Sequence, residues 1–124
     1  EFQGLQWMLA DMSVQIAAAR ELIYKAARSS APFPDPLFAA QAKIFAADAA
    51  IKVTNDALQV FGAAGYSRNR PLERMVRDAR MFTIGGGTAQ ILRTVVASRI
   101  LERKLPQTRD GYLEEARAAR GTNF

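Results

Sequence analysis

Two short stretches hold the residues that could do chemistry. The first runs from Gln59 to Arg80, Q-V-F-G-A-A-G-Y-S-R-N-R-P-L-E-R-M-V-R-D-A-R. It spaces a polar series, Gln59, Asn69, Arg74 and Asp78, around Gly62 and Gly65. The second is I-G-G-G-T-A-Q-I, Ile84 to Ile91, with three glycines directly before Thr88 and Gln90. A turn without bulky side chains lets backbone N–H groups approach a phosphate or a ribose. Thr88 and Gln90 stand where a helix is expected to begin, and free N–H groups and the helix dipole there favour a negatively charged ligand. Each stretch also has a plainer reading. Gly62 and Gly65 can cap one helix and Pro71 can open the next, Arg74 and Asp78 can be an i,i+4 surface pair worth about 0.3–0.5 kcal/mol, and Thr88 can simply cap its own helix.

What is missing narrows the chemistry further. The chain has no cysteine and no histidine. A thiol nucleophile, a disulfide frame, a zinc site and a Ser-His-Asp triad are therefore not expected, and no metal-ligating residues are assigned. The 124 residues suffice for one core, and 49% hydrophobic residues are far too many for a disordered chain. No apolar run approaches the roughly 20 residues of a membrane span, so no membrane span is expected. The net charge is +5, with seventeen Lys and Arg interleaved among twelve acids. The basic residues do not cluster with aromatics, so nucleic acid is not an expected partner. The chain opens at Glu1 without a methionine and inside a helical pattern, which suggests a domain cut from a longer protein.

The elements that must position the two stretches are helical. Phe2, Leu5, Leu9, Met12, Ile16, Ala19, Ile23 and Ala26 recur in steps of three and four and predict a helix from Phe2 to Ala27. Three prolines in Ser29 to Pro36 break it. Leu37, Ala40, Ile44, Ala47, Ile51, Thr54 and Leu58 form a second stripe that ends near Phe61, its alanines small enough for a close neighbour. A short helix is expected from Pro71 to about Phe82, and another from about Thr88 to Lys104, which Pro106 stops. The tail from Gln107 to Phe124 is polar; D-G-Y-L-E-E-A-R-A-A-R predicts a short helix capped by Asp110 and docked by Tyr112 and Leu113. No strand-like alternation occurs. The fold class is therefore all-α, an up-and-down four-helix bundle, with residues 1–104 as the bundle and 105–124 as a tail.

The two stretches resemble the C-terminal domain of the acyl-CoA dehydrogenases. The signature of that family is matched by Gln59, Gly62, Gly65, Tyr66, Asn69, Arg74 and Asp78, and Ala63 stands where Gly or Ser is usual. E-F-Q-G-L-Q-W-M-L-A-D-M at the start and G-T-A-Q-I-L-R near the end extend the resemblance over residues 1 to 104. It implies part of a longer flavoprotein with a helical N-terminal domain, a β middle domain and a C-terminal four-helix bundle. Such an enzyme oxidises an acyl-CoA thioester to its 2-enoyl form with FAD as cofactor. It passes electrons to electron-transfer flavoprotein and assembles as a homo-oligomer, a dimer or tetramer, whose FAD site spans two subunits. It resides in the cytoplasm of bacteria or the mitochondrial matrix of eukaryotes. Carried over by position, Gln59 and the Gly62–Ala63 backbone resemble contacts to a neighbouring subunit's FAD, and Thr88 and Gln90 resemble a second FAD-contacting pair. The isolated chain is expected to be inactive, as an FAD-binding and oligomerisation domain; the alternative is a non-catalytic helical interaction domain.

One departure from the family is sharp. The usual motif Tyr-Glu-Gly-Thr-x-Gln-Ile, aligned on Gly87, Thr88, Gln90 and Ile91, puts Gly86 where many relatives hold the catalytic glutamate. Two explanations compete. Some branches, the isovaleryl-CoA dehydrogenases among them, carry the base on an earlier helix. Otherwise the protein is a non-dehydrogenating relative. The first is preferred because Gln59, Thr88 and Gln90 keep the flavin-side pattern. Either way no catalytic side chain is assigned here, and the backbone N–H of Gly86 remains as a donor that could polarise the thioester carbonyl. If φ at Ala63 were positive, its methyl would cost about 1 kcal/mol.

Overall fold

The computed structural model describes residues 2–106 and 109–121. The tail assignments at 107–108 and 122–124, and the first residue of the expected bundle, lie outside the described residues. Six α-helices follow one another: α1 (Gln3–Ala27), α2 (Pro36–Phe61), α3 (Ala63–Tyr66), α4 (Leu72–Met81), α5 (Ala89–Ile100) and α6 (Arg109–Gly121). No strand occurs among the described residues, as the periodicity predicts.

Local chemistry sets each boundary. At the proline-rich break, the Ser29 hydroxyl donates to the Ala26 carbonyl at 2.6 Å and accepts from the Asp35 N–H at 2.8 Å. The Ala31–Pro32 peptide is cis. The Asp35 carboxylate then caps α2 by accepting from the N–H groups of Leu37 and Phe38 at 2.8 and 3.4 Å. Pro36 occupies the first helical position, where a missing N–H is harmless. Gly62, with φ +56°, ends α2. The last main helix is shorter than expected. It stops at Ile100, and Glu102 follows with φ +50°, a conformation incompatible with continuing to Lys104.

The middle of the molecule is α2. Each of α1, α4 and α5 packs on it, while among the described residues α1 packs on neither α4 nor α5. Alanines make this possible. Ala40 and Ala47 of the expected stripe are buried, and so are Ala42 and Ala49 on another face of α2. Small side chains let backbones approach on several sides of one helix. The α1 stripe fares differently. Met12 and Ala26 are buried, whereas Phe2, Leu5, Leu9, Ile16 and Ile23 are exposed, Ile16 by 46%. An apolar stripe about 100° wide needs more than one neighbour to cover it, and α1 has only α2. The uncovered part forms an apolar groove of about 400 Å³ walled by Ile16, Ala19, Ile23, Ala46, Ala50 and Val53.

The tail expectation needs correction in two respects. Asp110 sits within the first turn of α6 rather than before it. Tyr112 and Leu113 are exposed, so they do not dock the helix.

Candidate functional site

The turn after α2 is built around two glycines with different reasons to be glycine. Gly65 is buried in α3, and a Cβ there would lie 2.6 Å from the Leu58 carbonyl oxygen and 2.9 Å from the Phe61 Cβ. It permits the short α3 to fold back against the last turn of α2. Gly62 needs its left-handed φ, and a Cβ there would meet nothing within 4 Å. Its N–H donates to the Gln59 carbonyl at 3.0 Å, so Gly62 presents open approach rather than a free donor. Its carbonyl accepts from the N–H groups of Gly65 and Tyr66. Ala63 begins α3 and is not among the residues with positive φ. The methyl therefore carries no backbone strain, which answers the question its departure from the family pattern raised. The Gln59 side chain is exposed on the last turn of α2.

The polar series beyond this turn behaves as surface. Asn69, Arg74 and Asp78 are exposed. The Arg74–Asp78 pair is long, at 3.9 Å, and solvated on both sides. The tighter pair on α4 is Arg77 with Glu73, two hydrogen bonds of 3.1 and 3.2 Å. Lys52, also outside the site, has its pKa raised first by its 2.6 Å hydrogen bond to Asp56.

The glycine loop between α4 and α5 is the second half of the site. Gly86 and Gly87 have φ of +69° and +89°, two consecutive left-handed residues. A Cβ on Gly86 would meet nothing within 4 Å, and Gly86 is exposed. Among the described residues nothing accepts from the Gly86 N–H. Gly85 is closer-packed, since a Cβ there would stand 3.0 Å from the Met81 sulfur. Thr88 caps α5, its hydroxyl oxygen accepting from the Ile91 N–H at 3.2 Å. The hydroxyl proton remains to donate to a ligand, so the capping role and a ligand role coexist. Gln90 follows, exposed in the first turn of α5.

Two bridges close this loop. The Ala89 N–H donates to the Thr83 carbonyl at 3.0 Å. The Lys43 ammonium, reaching across from α2, donates to the carbonyls of Phe82 at 2.5 Å and Gly87 at 2.8 Å. Nothing in the sequence pattern singled Lys43 out. It flanks the apolar stripe of α2 as a surface lysine would, and its partners are backbone atoms 39 and 44 residues away.

Within one chain the two halves are apart. Gln59 lies sixteen residues beyond Lys43 on α2, about 24 Å along the axis at 1.5 Å per residue. The Gly87 carbonyl lies within a lysine's reach of position 43. The Gln59–Ala63 turn and the Gly86–Gln90 loop therefore do not line one pocket of this chain. Their donor sets nevertheless suit an uncharged, hydrogen-bonding mode of ligand binding: two carboxamides, a hydroxyl, and backbone without side chains at Gly62 and Gly86. That chemistry fits the ribose, adenine and phosphate groups of FAD.

Comparison with known proteins accounts for the fold. The profile described as "Acyl-CoA dehydrogenase, C-terminal domain" matches residues 1–101. A 3-sulfinopropanoyl-CoA desulfinase of Advenella mimigardefordensis is 72% identical over 116 residues, which is 94% of this chain and 29% of its own. A short-chain-specific acyl-CoA dehydrogenase of Clostridium acetobutylicum is 46% identical over 101 residues, 81% of this chain and 27% of its own. The solved structure of butyryl-CoA dehydrogenase from Megasphaera elsdenii superposes with a TM-score of 0.78 at 42% identity, covering 82% of this chain and 27% of its own. The chain thus spans less than a third of the length of these relatives. The relatives are enzymes of an oxidoreductase family whose cofactor is FAD. By sequence profile and by fold, the chain belongs to the acyl-CoA dehydrogenase family as its C-terminal helical domain.

Proposed function

We propose that this chain is the C-terminal domain of an acyl-CoA desulfinase that acts on 3-sulfinopropanoyl-CoA, and that it helps to hold FAD. The observation that carries the reading is Gly86. A dehydrogenating member needs a base for the α-proton, and the loop offers an exposed, left-handed glycine with open space around it. Of the two explanations for the missing glutamate, a non-dehydrogenating relative now has the stronger support, because the desulfinase is 72% identical and the dehydrogenase 46%.

Desulfination makes different demands. The Cβ–S bond of the substrate breaks, water supplies a hydrogen to Cβ and a hydroxyl to sulfur, and propanoyl-CoA and sulfite leave. Electrons balance without an external acceptor, so electron-transfer flavoprotein is a partner only under the dehydrogenase reading. When bound, FAD supplies a two-electron acceptor, which dehydrogenation uses and desulfination does not consume. In this reading Gln59 and the Gly62–Ala63 turn face the FAD of one neighbouring subunit, and Thr88 and Gln90 face FAD at the other end of α2. The separation of the two halves along α2 supports a homo-oligomer, since one chain cannot close both on one ligand. The Gly86 N–H has no acceptor among the described residues, which supports a role for it in polarising the thioester carbonyl. The domain itself comprises residues 1–104, with 105–124 as an appended tail.

The test uses the full-length FAD-loaded protein. It is given 3-sulfinopropanoyl-CoA without an electron acceptor, then saturated acyl-CoA esters with a dye acceptor. Release of sulfite and propanoyl-CoA in the first assay is expected. Enoyl-CoA formation in the second with no sulfite in the first would overturn the proposal in favour of a dehydrogenase whose base lies on another segment.

A further inference from the structure

We infer that Lys43 is a positioning residue for the glycine loop, a clamp that sets where the Gly86 N–H and the open space beside it stand. The role of the loop in substrate binding rests on the function proposed above; the clamp itself rests on geometry. Phe82 closes α4 and Gly87 directly precedes the Thr88 cap of α5, so the two carbonyls that Lys43 holds bracket the loop on both sides. An ammonium at the Phe82 carbonyl alone would be an ordinary cation at a helix C-terminus. The second bond, to Gly87, is what ties the far side of the loop to α2.

Three further observations support the clamp. Among the described residues Lys43 forms no ion pair, so its charge is spent on the loop carbonyls and on no carboxylate. It lines an apolar groove beside Ile23, Ala42, Ala46, Ala47 and Phe82, so the stem has apolar walls to lie along. The loop also needs holding. Gly86 and Gly87 are both left-handed and carry no side chain to anchor them. Between the Gly85 N–H, which donates to the Met81 carbonyl, and the Ala89 N–H, which donates to the Thr83 carbonyl, the N–H groups of Gly86, Gly87 and Thr88 have no acceptor among the described residues. An oxyanion donor is useful only when held still, because a displacement of about 1 Å can cost on the order of a hundredfold in rate.

The test is made in the full-length FAD-loaded protein with Lys43→Met, Lys43→Gln and Lys43→Arg. Glutamine is polar but too short to span both carbonyls, and serves where the methionine variant does not fold. Lys43→Met and Lys43→Gln are expected to raise amide hydrogen exchange at Gly85 and Ala89, the two hydrogen-bonded amides that flank the open glycines, by at least about tenfold while the rest of α5 is unchanged. In the same variants kcat for sulfite release should fall by at least about tenfold, with KM moving less than about threefold and flavin content intact. Lys43→Arg should recover part of both losses. Unchanged exchange at Gly85 and Ala89 overturns the clamp, and increased exchange with wild-type kcat overturns its role in positioning. If the unmodified protein releases no sulfite, the proposed function fails, and the exchange measurement still decides the clamp.

Discussion

Restoring a carboxylate at Gly86 separates the two features that make this loop unusual, its backbone and its empty space. Gly86→Glu places an L-residue at φ +69°, which costs about 1–2 kcal/mol. No steric charge is added, because a Cβ at that position meets nothing within 4 Å. A domain with a net stability of about 5–15 kcal/mol stays folded under such a load. The functional effect is larger. The substrate of the proposed reaction carries a sulfinate anion, and a second negative charge 4 to 8 Å away, at an effective dielectric of about 20, repels it by about 2–4 kcal/mol. At the lower figure kcat/KM falls by about 30-fold. Gly86→Gln has nearly the same volume and the same backbone strain without the charge, so the ratio of the two variants isolates electrostatics. The assay is the initial rate of sulfite release by the full-length protein, with denaturant unfolding in parallel. Equal kcat/KM for the two variants, both near wild type, would refute the placement of the loop beside the charged end of the substrate. A stability loss above about 4 kcal/mol would refute the open space, since backbone strain alone does not reach it.

Gly65→Ala should behave in the opposite way: its Cβ would meet the Leu58 carbonyl oxygen at 2.6 Å, so backbone must move, and chemical denaturation of the full-length protein should show a loss of about 2–3 kcal/mol. A loss under about 0.5 kcal/mol would show that α3 yields freely. Thr88→Ala removes the hydroxyl that accepts from the Ile91 N–H and should cost about 1 kcal/mol in the same measurement, with Thr88→Ser close to neutral; equal losses for both would point to the methyl instead. In the 124-residue chain, Ile44→Asp should abolish cooperative melting, because Ile44 is half-buried among Leu22, Phe45, Val96 and Ala97. Ile16→Asp should leave most of the helical circular dichroism, because Ile16 is 46% exposed; equal damage from both would return Ile16 to the core.

Periodicity reveals which residues on a helix are apolar together, and it cannot say how many neighbours will cover them. The stripes of α1 and α2 look alike in sequence, and yet Ala40 and Ala47 are buried while Ile16 and Ile23 face a groove, because among the described residues α2 packs against α1, α3, α4 and α5 and α1 against α2 alone. The boundaries at Gly62 and Thr88 were legible because each rests on a short-range device, a left-handed glycine or a cap, that lies within three residues of the end it makes, whereas the break before α2 was legible from its prolines and not from the Asp35 cap. The same is true of the site. Gln59, Gly62, Thr88 and Gln90 could be named from a local pattern. Lys43 could not, since a lysine beside an apolar stripe is what any solvated helix face carries, and the carbonyls it holds belong to the backbone, which leaves no trace in residue type. The missing glutamate at Gly86 was readable as an absence, but its meaning depends on geometry. A glycine chosen for tight packing would be useless as an opening, as Gly65 is. Gly86 combines a backbone only glycine adopts easily, an N–H with no acceptor among the described residues, and space where a side chain would stand. Those three properties suit a loop that offers a donor and admits a substrate group, with the proton chemistry of a dehydrogenase left out.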